Sequence, residues 1–172
     1  HAPHMLDAYR DLIDELLSTP TEIRGLLQHA SDPSPDAVRL IAELRDRDHA
    51  VLARAQRMTR EDTPYLGADY HEPRGAESAS EILADMETAR GDLVSLLINL
   101  SLKDWERPAI HPTRGEIVLA DEIEQHVEFD EAQRIAIRNV RRDILNEAGL
   151  HYANHDPSTW PEQGRVLAED RP

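Results

Sequence analysis

The chain has no cysteine in its 172 residues, which excludes disulfides, thiolate-bound zinc and thiol nucleophiles. Aromatic residues are scarce, at 4%, too few to form a stacking platform for single-stranded nucleic acid. Basic residues are outnumbered 34 to 19 by acidic ones, and the resulting net charge of −15 repels phosphate backbones, so a large nucleic-acid footprint is not expected. No apolar run approaches the roughly 20 residues needed to cross a bilayer. There is also no glycine-rich phosphate loop, no serine nucleophile in a matching histidine context and no dinucleotide fingerprint.

What is present, 40% apolar and 31% charged residues, is the composition of one globular domain with a core of its own. His1 to His4 read as a cloning remnant. The first residues show neither the basic start nor the apolar stretch of a secretion signal, so the expected compartment is the cytoplasm.

Apolar residues recur at helical spacing in four places. Leu6, Tyr9, Ile13, Leu16 and Leu17 share one face of a first helix. Thr19-Pro20-Thr21-Glu22 has the form of a capping box with proline at the first helical position, and predicts a break followed by a short helix or turn through about Leu27. Beyond the Asp32-Pro33-Ser34-Pro35 breaker, Val38, Ile41, Leu44, Val51, Leu52, Ala55 and Met58 give the stripe of a second long helix. A long loop is expected from Glu61 to Ala79, punctuated by Pro64, Gly67, Pro73 and Gly75. Ser78 and Glu81 then have capping-box spacing ahead of Ile82, Met86, Ala89, Leu93, Leu96 and Leu100.

Arg107 to Gly115 reads as a connection, with Glu116 to Leu119 extended and a small hairpin as one outcome. A fourth long helix is expected from about Ala120 to Glu147, ended by Gly149. The segment from His151 to Pro172 reads as an irregular tail. Four amphipathic helices with no convincing strands predict an all-α four-helix bundle spanning 5–150. Periodicity does not choose its topology.

The seam of the fourth helix is anomalous. Ile123, His126, Asp130, Gln133, Ile137, Val140 and Ile144 step by three and four, and the middle of that series is polar. Burying such groups without partners costs roughly 1–3 kcal/mol each, so the interior would have to supply partners, water or a ligand. A competing apolar face through Phe129, Ala132 and Ala136 would instead leave the polar trio at the rim. Of the other histidines, His49 reads as a surface or packing residue, and His151 and His155 as chance histidines of the tail.

Several stretches resemble the DinB-like superfamily of bacterial bundles: Leu44-Arg45-Asp46, Arg57-Met58, Glu61-Asp62-Thr63-Pro64, Arg90-Gly91-Asp92-Leu93, Asp104-Trp105, Arg107-Pro108, His111-Pro112, Gly115 and the fourth helix. They run in order over most of Met5 to Arg142. The resemblance implies a four-helix bundle, a homodimer, and a divalent metal held by one histidine of the second helix and two of the fourth. Those positions here hold Glu43, Phe129 and Gln133, and the superfamily's tryptophan-serine signature before the second helix is missing. His111 matches a position whose role is expected to be structural. Phenylalanine has no donor and a glutamine amide is a weak ligand for zinc or nickel. Glu43, His126 and Asp130 are the alternative donor set, suited to zinc, iron or manganese.

Two functions follow from the resemblance. The first is a small-ligand-binding or regulatory bundle without its metal, with Glu43, His126, Phe129, Asp130 and Gln133 around a pocket. The second is a metal-dependent hydrolase or thiol-dependent transferase using Glu43, His126 and Asp130. A dry bundle that only packs or binds partners is the third reading.

Overall fold

The computed structural model describes residues 2–28, 33–67 and 75–153, with side chains described between residues 7 and 141. Its elements, in order, are α1 (Ala2–Leu27), α2 (Pro35–Arg60), α3 (Ala79–Ile98), α4 (Leu102–Trp105), β1 (Pro108–His111), β2 (Gly115–Val118) and α5 (Leu119–Ala153). The protein is the expected all-α bundle of four long helices, with a two-stranded hairpin set between the third and fourth. The chain divides into a unit over His1–Arg138 and a second over Asn139–Pro172. None of the described helices is long and apolar enough to cross a membrane.

Helix starts are set by local chemistry. Ser34 caps α2 by accepting from the Ala37 amide, with Pro35 opening the helix. Ser78 and Glu81 close a reciprocal capping box on α3. The same device recurs at Ser101 and Asp104 and starts α4, a single turn that the periodicity did not reveal. Its Trp105 is buried and stacks on Tyr9 of α1 at 4.4 Å.

Two expectations are corrected. The first helix does not break at Thr19-Pro20: α1 runs on to Leu27 with Pro20 inside it. A proline in a helix removes one donor and crowds the carbonyl four residues back, and here that carbonyl, of Leu16, is held by Arg90 Nη1 at 2.8 Å. The fourth helix does not stop at Gly149 but continues to Ala153, since one interior glycine costs only about 1 kcal/mol. It therefore includes His151, whereas His155 lies outside the described residues, as does the rest of the tail expected beyond Ala153. The segment set aside as a remnant is also partly helical, because α1 begins at Ala2.

The hairpin pairs Pro108 with Val118 and His111 with Gly115. Gly115 has φ of 74°, a conformation that costs glycine nothing. His111 Nδ1 accepts from the backbone N–H groups of Thr113 and Arg114, both at 3.2 Å, and so braces the turn. The segment after α2 is tied to the hairpin by Ile110 N–H to the Pro64 carbonyl (2.9 Å) and Leu66 N–H to the Ile110 carbonyl (2.8 Å). Arg107 fixes the other side by donating to the Met58 and Glu61 carbonyls at the end of α2.

α3 packs along both α2 and α1. Leu16, Val51, Ala55, Met58, Leu93, Leu97, Trp105, Leu119 and Ile123 form a continuous apolar core that also takes in Ala109 and Ile117 of the hairpin. Ile23, Ile41, Leu44, Met86 and Ile137 are buried as well. Between these two sets of apolar side chains in sequence lie buried polar ones, among them Thr19, Asp48, Arg90, His126 and Asp130.

Candidate functional site

The polar cluster draws one or two residues from each long helix. His126 and Asp130 of α5 are at most 1% exposed and Gln133 is 7% exposed, while Ala132 is exposed. The stripe that faces inward is therefore the polar seam and not the face through Ala132.

Arg90 of α3 is the centre of the cluster. Its Nη1 and Nη2 donate to Asp130 Oδ2 and Oδ1 at 2.6 and 2.8 Å, a bidentate fork. Its Nε and Nη2 reach Asp48 Oδ1 at 2.8 and 2.7 Å. Thr19 Oγ1 adds a donor to Asp130 Oδ2 at 2.8 Å. Burial alone would push the guanidinium's pKa down. The charge of Asp48, the hydrogen bond and charge of Asp130 and the hydrogen bond to Asp48 outweigh burial and raise it above the ordinary arginine value.

His126 bridges this cluster to its surroundings. Arg47 Nε lies 3.3 Å from His126 Nδ1 and can only donate, so Nδ1 accepts and the ring proton sits on Nε2. That proton faces Asp48 Oδ1 at 2.6 Å. Arg90 Nη2, 3.3 Å from Nε2, is then a second donor held beside the first by the oxygen they share. The other oxygen of Asp48, Oδ2, is buried and has no hydrogen-bond partner among the described residues.

Glu43 is not part of this cluster. Its side chain is 46% exposed and pairs with Arg39 at 2.9 Å. It does reach Gln133, whose Nε2 donates to Glu43 Oε2 at 3.2 Å and to the Leu40 carbonyl at 3.0 Å. Phe129 is half-buried, with the Arg47 guanidinium 4.8 Å from its ring centre. So Glu43 and Gln133 meet, and Phe129 meets Arg47, while His126 and Asp130 turn to Asp48 and Arg90.

The donor set Glu43, His126 and Asp130 is thus not assembled, because α2 presents Asp48 to the interior in place of Glu43. Nor do the remaining groups suit a divalent ion. A guanidinium already engages both carboxylates, and a metal beside it would meet a fixed positive charge. Among the described residues no group of three histidine, aspartate or glutamate side chains is arranged to hold a metal. His49, taken as a surface or packing residue, lies 2.9 Å from Asp85.

Sequence reasoning missed Asp48, Arg90 and Thr19, although each fills a gap in an apolar series. Asp48 sits between Leu44 and Val51, Arg90 between Met86 and Leu93, and Thr19 between Leu16 and Ile23, all at three- and four-residue steps.

No protein-family model matches the chain, and no curated protein is detectably similar to it in sequence. Among solved structures, YfiT from Bacillus subtilis superposes with a TM-score of 0.65 over 79% of this chain and 87% of its own, at 19% identity. The chain shares the four-helix-bundle fold of that protein. YfiT is described as a probable metal-dependent hydrolase with an unusual four-helix bundle topology. At that identity the likeness concerns the fold alone.

Proposed function

We propose that this chain is a small-ligand-binding bundle of DinB-like fold in which an arginine-centred ion cluster takes the place of a metal centre. The observation that carries the reading is the double engagement of Arg90 with Asp48 and Asp130 at 2.6–2.8 Å. The carboxylates that could serve as ligands are satisfied by a side-chain cation, and the superfamily positions at Glu43, Phe129 and Gln133 are joined to one another or to Arg47. The proposal includes a cytoplasmic location and assembly as a homodimer, which light scattering of the purified protein tests directly.

Elemental analysis of protein purified without chelator or nickel resin is the deciding experiment. The expected result is less than stoichiometric zinc, nickel, iron or manganese, and a thermal midpoint unmoved by a chelator. One equivalent of metal, lost on His126→Ala, would overturn the proposal. It would restore the reading as a metal-dependent hydrolase or thiol-dependent transferase, with His126 as a ligand.

A further inference from the structure

We propose that Asp48, His126 and Asp130 are the ligand set of a divalent-cation site whose centre is taken by Arg90 Nη2, so that the chain closes the site with its own guanidinium. This rests on the metal-free reading above and names the groups that keep a metal out.

The first support is the geometry around one atom. Arg90 Nη2 lies 2.7 Å from Asp48 Oδ1, 2.8 Å from Asp130 Oδ1 and 3.3 Å from His126 Nε2. One oxygen of each carboxylate and one imidazole nitrogen, brought in by α2 and α5, thus surround a single cationic nitrogen. Two carboxylates and an imidazole suit zinc, iron or manganese. With Arg90 in place these atoms are spaced for a guanidinium, and they would have to close by about 1 Å to reach metal-ligand distances of roughly 2.0–2.2 Å. Side-chain adjustment covers that.

The second support is charge. Asp48, Arg90, His126 and Asp130 are at most 2% exposed, and without the guanidinium the two carboxylates match the charge of one divalent ion. At Glu122 the ratio is reversed. That fully buried carboxylate accepts from Arg54 Nη1 and Arg114 Nη2 at 2.7 Å each. Burial would raise its pKa, but the hydrogen bonds and charges of the two guanidiniums outweigh burial and lower it.

The third support is that the hydrogen bonding around Arg90 is imperfect. Nη2 has two hydrogens for three neighbours. Asp48 Oδ1 is approached by Arg90 Nε at 2.8 Å, Arg90 Nη2 at 2.7 Å and His126 Nε2 at 2.6 Å, while the buried Oδ2 beside it has no partner among the described residues. That oxygen is a further donor for an ion. Thr19 Oγ1, donating to Asp130 Oδ2 at 2.8 Å, is an outer contact of the kind that orients a ligating carboxylate.

His126 adds a second obstacle to a metal. A ligating imidazole turns its lone pair to the ion and donates its other ring N–H to a neighbour. Here Arg47 Nε donates to Nδ1 at 3.3 Å, which keeps the proton on Nε2, the nitrogen that faces the centre. The wild type therefore excludes an ion by the charge of Arg90 and by the tautomer of His126.

The test is zinc uptake by the full chain carrying Arg90→Ala. Because the site is buried, wild type and variants are refolded from urea with zinc, dialysed and assayed for bound metal, with chelator competition for affinity and cobalt absorption for coordination. Arg90→Ala should hold one equivalent beyond the wild type, with an affinity at least about a hundredfold above any that the wild type shows, and zinc should raise its thermal midpoint and not that of the wild type. Adding His126→Ala should abolish the extra equivalent. Adding Arg47→Gln, whose amide oxygen can accept from Nδ1–H, should tighten binding about tenfold. Arg90→Lys keeps a cation and should refuse zinc. An Arg90→Ala chain that folds only with zinc meets the expectation, since a metal site and its fold are linked. One that stays unfolded with zinc, that folds without the extra equivalent, or that keeps it after His126→Ala would overturn the proposal, as would equal uptake by Arg90→Lys. A metal-free wild type whose Arg90→Ala variant ignores zinc refutes only this inference, whereas stoichiometric metal in the wild type refutes the underlying reading.

Discussion

Pro20 and Arg90 are joined through a single atom, the carbonyl oxygen of Leu16. In an uninterrupted helix that oxygen would accept from the amide of residue 20, but proline has none, and Arg90 Nη1 donates to it instead at 2.8 Å. The proline that reads as a helix break in the sequence thus opens a site for the cation at the centre of the bundle.

This link is measurable by a double-mutant cycle. Arg90→Met removes the donor to Leu16 and leaves Asp48 and Asp130 buried without their cation, at an expected cost of about 3–5 kcal/mol. Pro20→Ala restores an amide able to reach the Leu16 carbonyl, so it should recover roughly 1 kcal/mol more in the Arg90→Met background than in the parent. Equal effects in both backgrounds, from urea denaturation, would show that the oxygen is not shared.

Thr19 is the third donor to Asp130, at 2.8 Å and fully buried. Thr19→Val preserves the shape and deletes the hydroxyl, and should destabilise by about 1–3 kcal/mol. Thr19→Ser keeps the donor and should lose much less. A Ser variant as unstable as the Val variant would assign the loss to packing.

The fold was legible where apolar spacing and capping chemistry agreed. Ser34-Pro35 and the Ser78–Glu81 box mark the starts of α2 and α3 as found. It misled at Pro20 and Gly149, where local rules for ending a helix were overruled, at Pro20 by a tertiary hydrogen bond. The polar seam of α5 was visible as His126, Asp130 and Gln133 interrupting a hydrophobic series. Its partners are less visible, because Asp48 and Arg90 stand as gaps in apolar stripes and the residue at the family position on the second helix is Glu43. Arginine on an apolar face is costly alone, so it signals carboxylates on the facing helices. That inference needs two stripes read together. The grouping around Glu122 is harder still, since Arg54 and Arg114 come together only when the hairpin turn lies beside α2.

Glu122 gives a pH signature. Its folded-state pKa is lowered, so its contribution is fully present above the unfolded-state value and is lost as pH falls through the acid range toward the folded value. Wild type should therefore exceed Glu122→Gln in stability by the most near neutral pH, by about 1–3 kcal/mol. The gap should close as pH is lowered below the ordinary carboxylate range. A gap independent of pH, measured by urea midpoints, would mean that ionisation of Glu122 is not what holds Arg54 and Arg114.

The buried cluster itself has one cation, Arg90, against two carboxylates, and one oxygen of Asp48 has no partner among the described residues. Such a cluster is expensive to desolvate, and its attraction does not fully offset that cost. Removing it as a unit should accordingly do less harm than removing any one member. The variant Asp48→Leu, Arg90→Met, His126→Leu and Asp130→Leu is expected to fold at least as stably as the parent, by up to about 4 kcal/mol, although Arg90→Met alone is strongly destabilising. A combined variant several kcal/mol less stable than wild type would show that the ion cluster, and not the apolar layers beside it, holds the four helices together.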